Sequence, residues 1–190
     1  MFKLKEEKRL FVMPNFEMRN FDIKDALGYY ELYNAPQIAK YLPSDMIPKD
    51  ITASAEQISY LFLRGRSVPY WAIVDSSNDD IVGSCGFVNA DLYNKRLEIA
   101  YDLHPKFWGK GVMHNSIKVC LKHAFEKMSV KRVEAVALRE NVESAKTLLR
   151  IGFIHEGTLR NYKYFRGRMV NMESFSFTFE DYQKLIVKNV

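Results

Sequence analysis

Two periodicities meet between Arg96 and Met128, and their junction limits what this chain can fold into. From Arg96 to His104 the residues alternate. Leu97, Ile99, Tyr101 and Leu103 lie on one side; Arg96, Glu98, Ala100, Asp102 and His104 lie on the other. Period two is a strand with one apolar face. Pro105 ends it, because proline cannot donate to a sheet ladder. From Gly109 to Met128 the apolar residues Met113, Ile117, Cys120, Leu121, Ala124, Phe125 and Met128 recur at three and four, which predicts an amphipathic helix. A strand therefore hands over to a helix through Trp-Gly-Lys-Gly-Val-Met, residues 108–113.

The first turn of a helix leaves its N–H groups without intrahelical partners, and the helix dipole adds about half a positive charge there. Gly109 and Gly111 carry no Cβ, so an anion can approach the backbone closely, and Lys110 adds charge. A Walker loop is absent, since Val112 follows Gly111 where G-K-[ST] is required. A dinucleotide fingerprint is absent too, since His114 stands where its last glycine belongs. Spacing alone leaves two readings, a diphosphate cradle or a plain turn.

The remaining elements surround this junction. A strand is expected at Phe16–Arg19, a helix capped by Asp22 and running to Tyr33, and a second helix over Thr52–Leu63. Strands follow at Tyr70–Val74 and Ile81–Val88, joined by the turn chemistry of Ser76–Asp80. After the long helix come a strand at Arg132–Leu138, a helix at Asn141–Arg150 stopped by Gly152, and strands at Phe153–Leu159 and Met172–Phe179. This order predicts a mixed α/β fold, with a mixed sheet carrying helices on its faces, rather than a doubly wound one. We divide the chain into an N-terminal extension, residues 1–13, and one domain, residues 14–190.

Composition excludes more than it selects. The net charge of +5 favours anionic ligands in general, and the basic residues are scattered, so neither a nucleic-acid tail nor nucleic acid as the main partner is expected. Cys85 and Cys120 show neither metal nor redox spacing, and the four histidines show no zinc pattern, so no metal is expected. No apolar stretch approaches the length of a membrane span, which leads to the expectation of a soluble, cytoplasmic protein without membrane partners.

The segment EIAYDLHPKFWGKGVM resembles the acetyl-CoA signature of the GNAT N-acetyltransferases, and more narrowly that of the ribosomal-protein N-terminal (RimJ/RimL-like) branch. In the superfamily motif Q/R-x-x-G-x-G/A, Gly111 matches the glycine, Trp108 stands for the first residue and Met113 for the last. NAPQIAKYLP (34–43), NVESAKTLLRIGF (141–153) and HEGTLRNYKYFRGRMVN (155–171) are similar to other segments of that branch, in the same order. The resemblance implies a mostly antiparallel sheet of about seven strands and about four helices, splayed between its fourth and fifth strands to admit acetyl-CoA. It implies that Trp108, Gly109, Lys110, Gly111, Val112 and Met113 hold the pyrophosphate, and that Asn141 and Ser144 also meet the cofactor. In relatives a bulge turns an N–H outward near Leu103, which implies that this group holds the acetyl carbonyl.

The implied reaction moves acetyl from a thioester to an amine, and leaves specific needs. The amine must be neutral; an α-amino group titrates near about 7.8 and a lysine near about 10.4. Glu98 is the candidate base, acting through water, with a neutralised or solvated carboxylate as the alternative. Asp102 is read as structural. Ser144 is a candidate for positioning or relaying a proton at the sulfur, with ordinary first-turn helix chemistry as the alternative. The tyrosine acid of many relatives aligns with Leu148, which leaves the acid unassigned; Tyr101 serves only if it faces the cleft, and Tyr162 and Tyr164 are looser candidates. Tyr70, Trp71 and Phe87 are candidates to line an acceptor cleft, though core is the commoner fate of such residues. Arg160, Lys163, Arg166 and Arg168 gather near one hairpin. Acceptor classes are a protein N-terminus or a small amine such as a polyamine, amino sugar or antibiotic. A homodimer is left open. A non-catalytic acyl-CoA-binding module and an RNA-associated basic protein are the rivals from other classes.

Overall fold

The computed structural model describes residues 9–65 and 68–187. Among these described residues eight strands form one sheet in the order β1-β2-β3-β4-β5-β6-β8-β7. They are β1 Leu10–Met13, β2 Phe16–Arg19, β3 Tyr70–Asp75, β4 Ile81–Asp91, β5 Arg96–Leu103, β6 Arg132–Leu138, β7 Ile154–Phe165 and β8 Arg168–Thr178. Every neighbouring pair is antiparallel except β5–β6. Among the described residues six α-helices accompany the sheet: α1 Ala26–Asn34, α2 Pro36–Ala39, α3 Ile51–Gly65, α4 Val112–Lys127, α5 Val142–Ile151 and α6 Phe179–Val187.

One sheet face buries Ala72 and Val74 against Tyr29, Leu32 and Tyr33 of α1 and Ile58 of α3. The other buries Ile73, Cys85, Phe87, Leu97 and Ile99 against Val112, Ile117, Cys120 and Leu121 of α4. The period-two and period-3.6 runs thus meet face to face, as their apolar stripes require. Trp71 and Phe87 belong to this core, and Cys85 and Cys120 are both free and buried.

Several boundaries move for identifiable reasons. Leu10–Met13, placed ahead of the domain in the sequence, pairs with β2 as an edge strand and gives the eighth strand. The helix after Asp22 begins as a tight 3-10 turn, Ile23–Asp25, in which Asp22 accepts from the Lys24 N–H and Asp25 accepts from the Asp22 N–H. Helix α4 begins at Val112 rather than Gly109, because Gly109 (φ +75°) and Gly111 (φ +79°) adopt left-handed backbone that no helical turn accommodates. Gly152 (φ +113°) ends α5 as expected. Strand β7 runs on to Phe165, lengthening the last hairpin.

The sheet opens at its one parallel pair. Strands β5 and β6 pair only at Arg96↔Arg132, Leu97↔Val133 and Glu98↔Glu134. Beyond Glu98, β5 stays with β4 as far as Leu103↔Gly83, while β6 stays with β8 as far as Leu138↔Met172. The two halves of the sheet diverge from there.

Candidate active site

A cleft of about 470 Å³ fills the opening. Tyr101, Asp102 and Leu103 of β5 form one wall, Asn141, Ser144 and Thr147 another, and Trp108, Gly109, Gly111, Val112 and Met113 the end beside α4. Helix α2 covers it with Ile38 and, just beyond its end, Tyr41.

The main-chain groups of β5 follow from strand alternation. The His104 N–H donates to Val82 O, so even-numbered residues of β5 face β4 with their backbone polar groups. Leu103 and Tyr101 therefore turn theirs toward the opening left by β6. The register is regular from Gly83↔Leu103 to Phe87↔Ile99, and the irregularity in this pair lies between Phe87 and Asn89. No bulge is needed at Leu103 to aim its N–H outward. Its carbonyl is occupied, accepting from the Trp108 indole at 2.6 Å.

At the start of α4, the first main-chain bond is Asn115 N–H to Gly111 O. Among the described residues, no acceptor takes the N–H groups of Gly109 through His114. They form a contiguous set of free donors at the positive end of a helix, four turns long, facing the cleft. A Cβ on Gly109 would meet nothing within 4 Å, so backbone sign rather than crowding calls for glycine there. The Lys110 side chain turns elsewhere, with Nζ 5.1 Å from the centre of the Phe107 ring, so only its N–H joins the set. His114 and Arg150 line the same end. Burial, and then the charges of Lys118 and Arg150, hold the His114 imidazole below its ordinary pKa.

Across the cleft, Asn141 caps α5 by accepting from the Ser144 N–H at 3.3 Å. Its Nδ2 group has no partner among the described residues. Tyr101 Oη lies 2.8 Å from Ser144 Oγ and donates to Ser144 O at 3.2 Å. Burial first of all raises the Tyr101 pKa. Tyr101 thus meets the condition set for it, whereas Leu148 is core and Tyr162 and Tyr164 are 54% and 68% exposed, outside the cleft lining.

Glu98 is not brought to this place. It sits on the paired end of β5, about 13 Å along the strand from Asp102 at 3.4 Å per residue. It accepts from Asn89 Nδ2 at 2.6 Å and does not line the cleft. Tyr70 leaves the acceptor wall as well, and bonds Ser84 Oγ at 3.0 Å. Of the basic hairpin residues, Arg166 has a defined task. It donates from Nη2 to Ala39 O at 2.6 Å and from Nε to Leu42 O at 3.4 Å, strapping the tip of β7–β8 to the end of α2. Tyr41 Oη donates to Glu140 O at 3.3 Å and ties the other side of that segment to the loop before α5.

A family described as acetyltransferase (GNAT) domain matches residues 15–154. The chain belongs to this family. It is an acetyl-CoA-dependent N-acetyltransferase. An uncharacterized N-acetyltransferase of Bacillus licheniformis, p20, is 30% identical over 169 residues, covering 87% of this chain and 93% of its own. The ribosomal-protein-serine acetyltransferase of Escherichia coli K12 is 27% identical over 86 residues, covering 45% of this chain and 48% of its own. The fold is shared with the microcin C7 self-immunity acetyltransferase MccE, solved with acetyl-CoA and AMP, at a TM-score of 0.81 and 24% identity over 91% of this chain and 97% of that one. The parallel pair is where the sheet parts, and the residues of the enzyme's free donors, the Tyr101–Ser144 pair and Leu103 lie along the cleft at that parting. Among the described residues no helix is long and apolar enough to cross a membrane.

Proposed function

We propose that this GNAT enzyme acetylates the α-amino group of a protein N-terminus, of the ribosomal-protein type, by direct attack in a ternary complex in the cytoplasm. In this reading the N–H groups of Gly109–His114 hold the coenzyme A diphosphate, and the free donors of that loop are the observation that carries it. Acetyl-CoA supplies a thioester carbonyl open to amine attack. The Leu103 N–H holds the acetyl oxygen where negative charge develops, the role of an oxyanion hole. Tyr101 and Ser144 form a short relay that returns a proton at the sulfur end, and Asn141 Nδ2 holds the pantetheine arm alongside.

The acceptor is argued from the relatives and from chemistry. An α-amino group, with a pKa near about 7.8, is already partly neutral at pH 7 and asks less of a base than a lysine side chain does. A small amine fits the same entry and is the second reading. The test is incubation with acetyl-CoA and a panel containing peptides that begin with Ser, Ala or Met, a polyamine and an amino sugar, followed by mass spectrometry. Acetylation confined to peptide α-amino groups is expected. Acetylation of the small amines alone would replace the peptide reading with the second one.

A further inference from the structure

We infer that Asp102, rather than Glu98, receives the acceptor's ammonium group and takes its proton. The inference rests on the acetyltransferase reading above and deepens it. It begins from a cluster on the face of β5 opposite Tyr101. Tyr33 Oη, from α1, donates to Asp102 Oδ2 at 3.2 Å and lies 3.0 Å from Ser84 Oγ. Ser84 Oγ is in turn 3.0 Å from Tyr70 Oη. The Tyr29 and Tyr33 rings pack with centroids 4.3 Å apart. Phenols and hydroxyls from α1, β3 and β4 therefore hold one carboxylate without offering it a positive charge.

None of the ionisable groups near enough to feel the Asp102 charge can neutralise it. On its own face these are Tyr29 and Tyr33 from α1 and Tyr70 from β3; through the sheet they are Cys85 from β4 and Tyr101 on β5. Among the described residues Asp102 makes no ion pair, in contrast to Arg19–Asp25 and Arg132–Glu156 elsewhere in the protein. A carboxylate taken from water without a cation is costly unless something supplies one. Burial pushes the Asp102 carboxyl up to about 6, against the opposing hydrogen bond from Tyr33. Such a group is still ionised at neutral pH.

Position decides what supplies the cation. Asp102 lines the cleft, next to the Leu103 N–H and one residue from Tyr101. Of the two carboxylates that line the cleft, Glu143 is paired with Lys146, which leaves Asp102 as the one an ammonium can pair with. The ammonium N–H bond breaks, the proton passes to a carboxylate oxygen of Asp102, and the nitrogen keeps the electron pair that it needs for attack. Asp102 and Tyr101 project to opposite faces of one strand, so proton removal and proton return are separated by the backbone that carries the Leu103 donor. Glu98 is excluded from this by its distance along the strand and its bond to Asn89.

The test is a carboxyl-carbon NMR titration of the coenzyme A complex of the whole chain, with Asp102 assigned through D102N. Three ammonium probes are added in turn: alaninamide, spermidine and glucosamine. N-acetylalaninamide, which has no ammonium group, is the control. A nearby cation favours the ionised carboxylate. At least one probe should lower the Asp102 midpoint by a unit or more, while the control leaves it in place. No movement with any probe would overturn the inference. With an amine that is acetylated, D102N should lose at least about 100-fold in kcat and the acidic limb of its pH profile, with acetyl-CoA affinity kept. E98Q should stay within about threefold. D102N retaining more than a tenth of turnover, or E98Q losing as much as D102N, would also overturn it. A shifted midpoint without acetylation of any amine probe would sink the acceptor reading above and leave the ammonium site standing.

Discussion

Tyr101 Oη and Ser144 Oγ, 2.8 Å apart, join β5 to α5 across the mouth of the split sheet. The pair bridges β5 and α5 beyond the point where the β5–β6 ladder ends at Glu98–Glu134. In the proposed reaction it stands at the sulfur. Y101F should therefore lower turnover by about 100-fold, the lower end of a lost acid–base contribution, and S144A, which only positions or relays the proton, by less than that. Affinity for acetyl-CoA should change less than threefold. Thiol release and equilibrium binding measure the two separately, and a matched loss in both would make the pair a binding element instead.

The two glycines before α4 make a prediction about stability as well as binding. Gly109 and Gly111 sit at φ +75° and +79°. A Cβ costs about 1–2 kcal/mol in left-handed backbone. G109A and G111A should each lose about that much in urea denaturation, and also weaken acetyl-CoA as the loop shifts toward ordinary dihedrals. Neither space nor packing resists the change, since a Cβ at Gly111 meets only Asn115 Nδ2 at 3.7 Å.

These glycines were legible because backbone sign is a local property. So were the β5 alternation, the α4 stripe and the Gly152 stop. Contacts between distant positions were not. Tyr101 and Ser144 are 43 residues apart, and Tyr33 and Asp102 are 69 apart. Neither pair has a spacing that periodicity can register, so Asp102 reads as an ordinary strand carboxylate until α1 is placed over it. Glu98 shares its strand face, and only the point at which β6 departs separates the two. The four-residue β1 is too short for alternation to show, and α6 is a nine-residue helix whose register continues directly from β8.

Asp102 also predicts a pH-dependent stability. Its folded carboxyl titrates near 6, above the ordinary value near 4, so the native state binds the proton more tightly than the unfolded one. Its contribution is favourable when protonated and is lost as pH rises from about 4 through about 6. D102N should melt a few degrees above wild type at pH 7.5, and the gain should shrink by pH 5. Thermal melts at the two values check the sign.

The opposite sign is expected at Asp79. Hydrogen bonds from Lys24 and then Arg19 hold its carboxyl well below the usual range. Such a group adds stability above about pH 4, which fades as pH falls toward the folded pKa. D79N should flatten the acid limb of the melting profile. Arg19, nearly buried with Asp25 at 2.7 Å, anchors the same cluster. R19M leaves that carboxylate without its cation and should cost about 3–5 kcal/mol.

The central claim is that the N–H groups of Gly109–His114 grip the diphosphate of the acetyl donor. Amide NMR shifts of these residues, compared on adding acetyl-CoA and then acetyl-pantetheine, which lacks the diphosphate, test it most directly. The account predicts large downfield shifts across the loop with acetyl-CoA, and little change there with acetyl-pantetheine. Identical responses to the two, or an unmoved loop with acetyl-CoA bound, would contradict it.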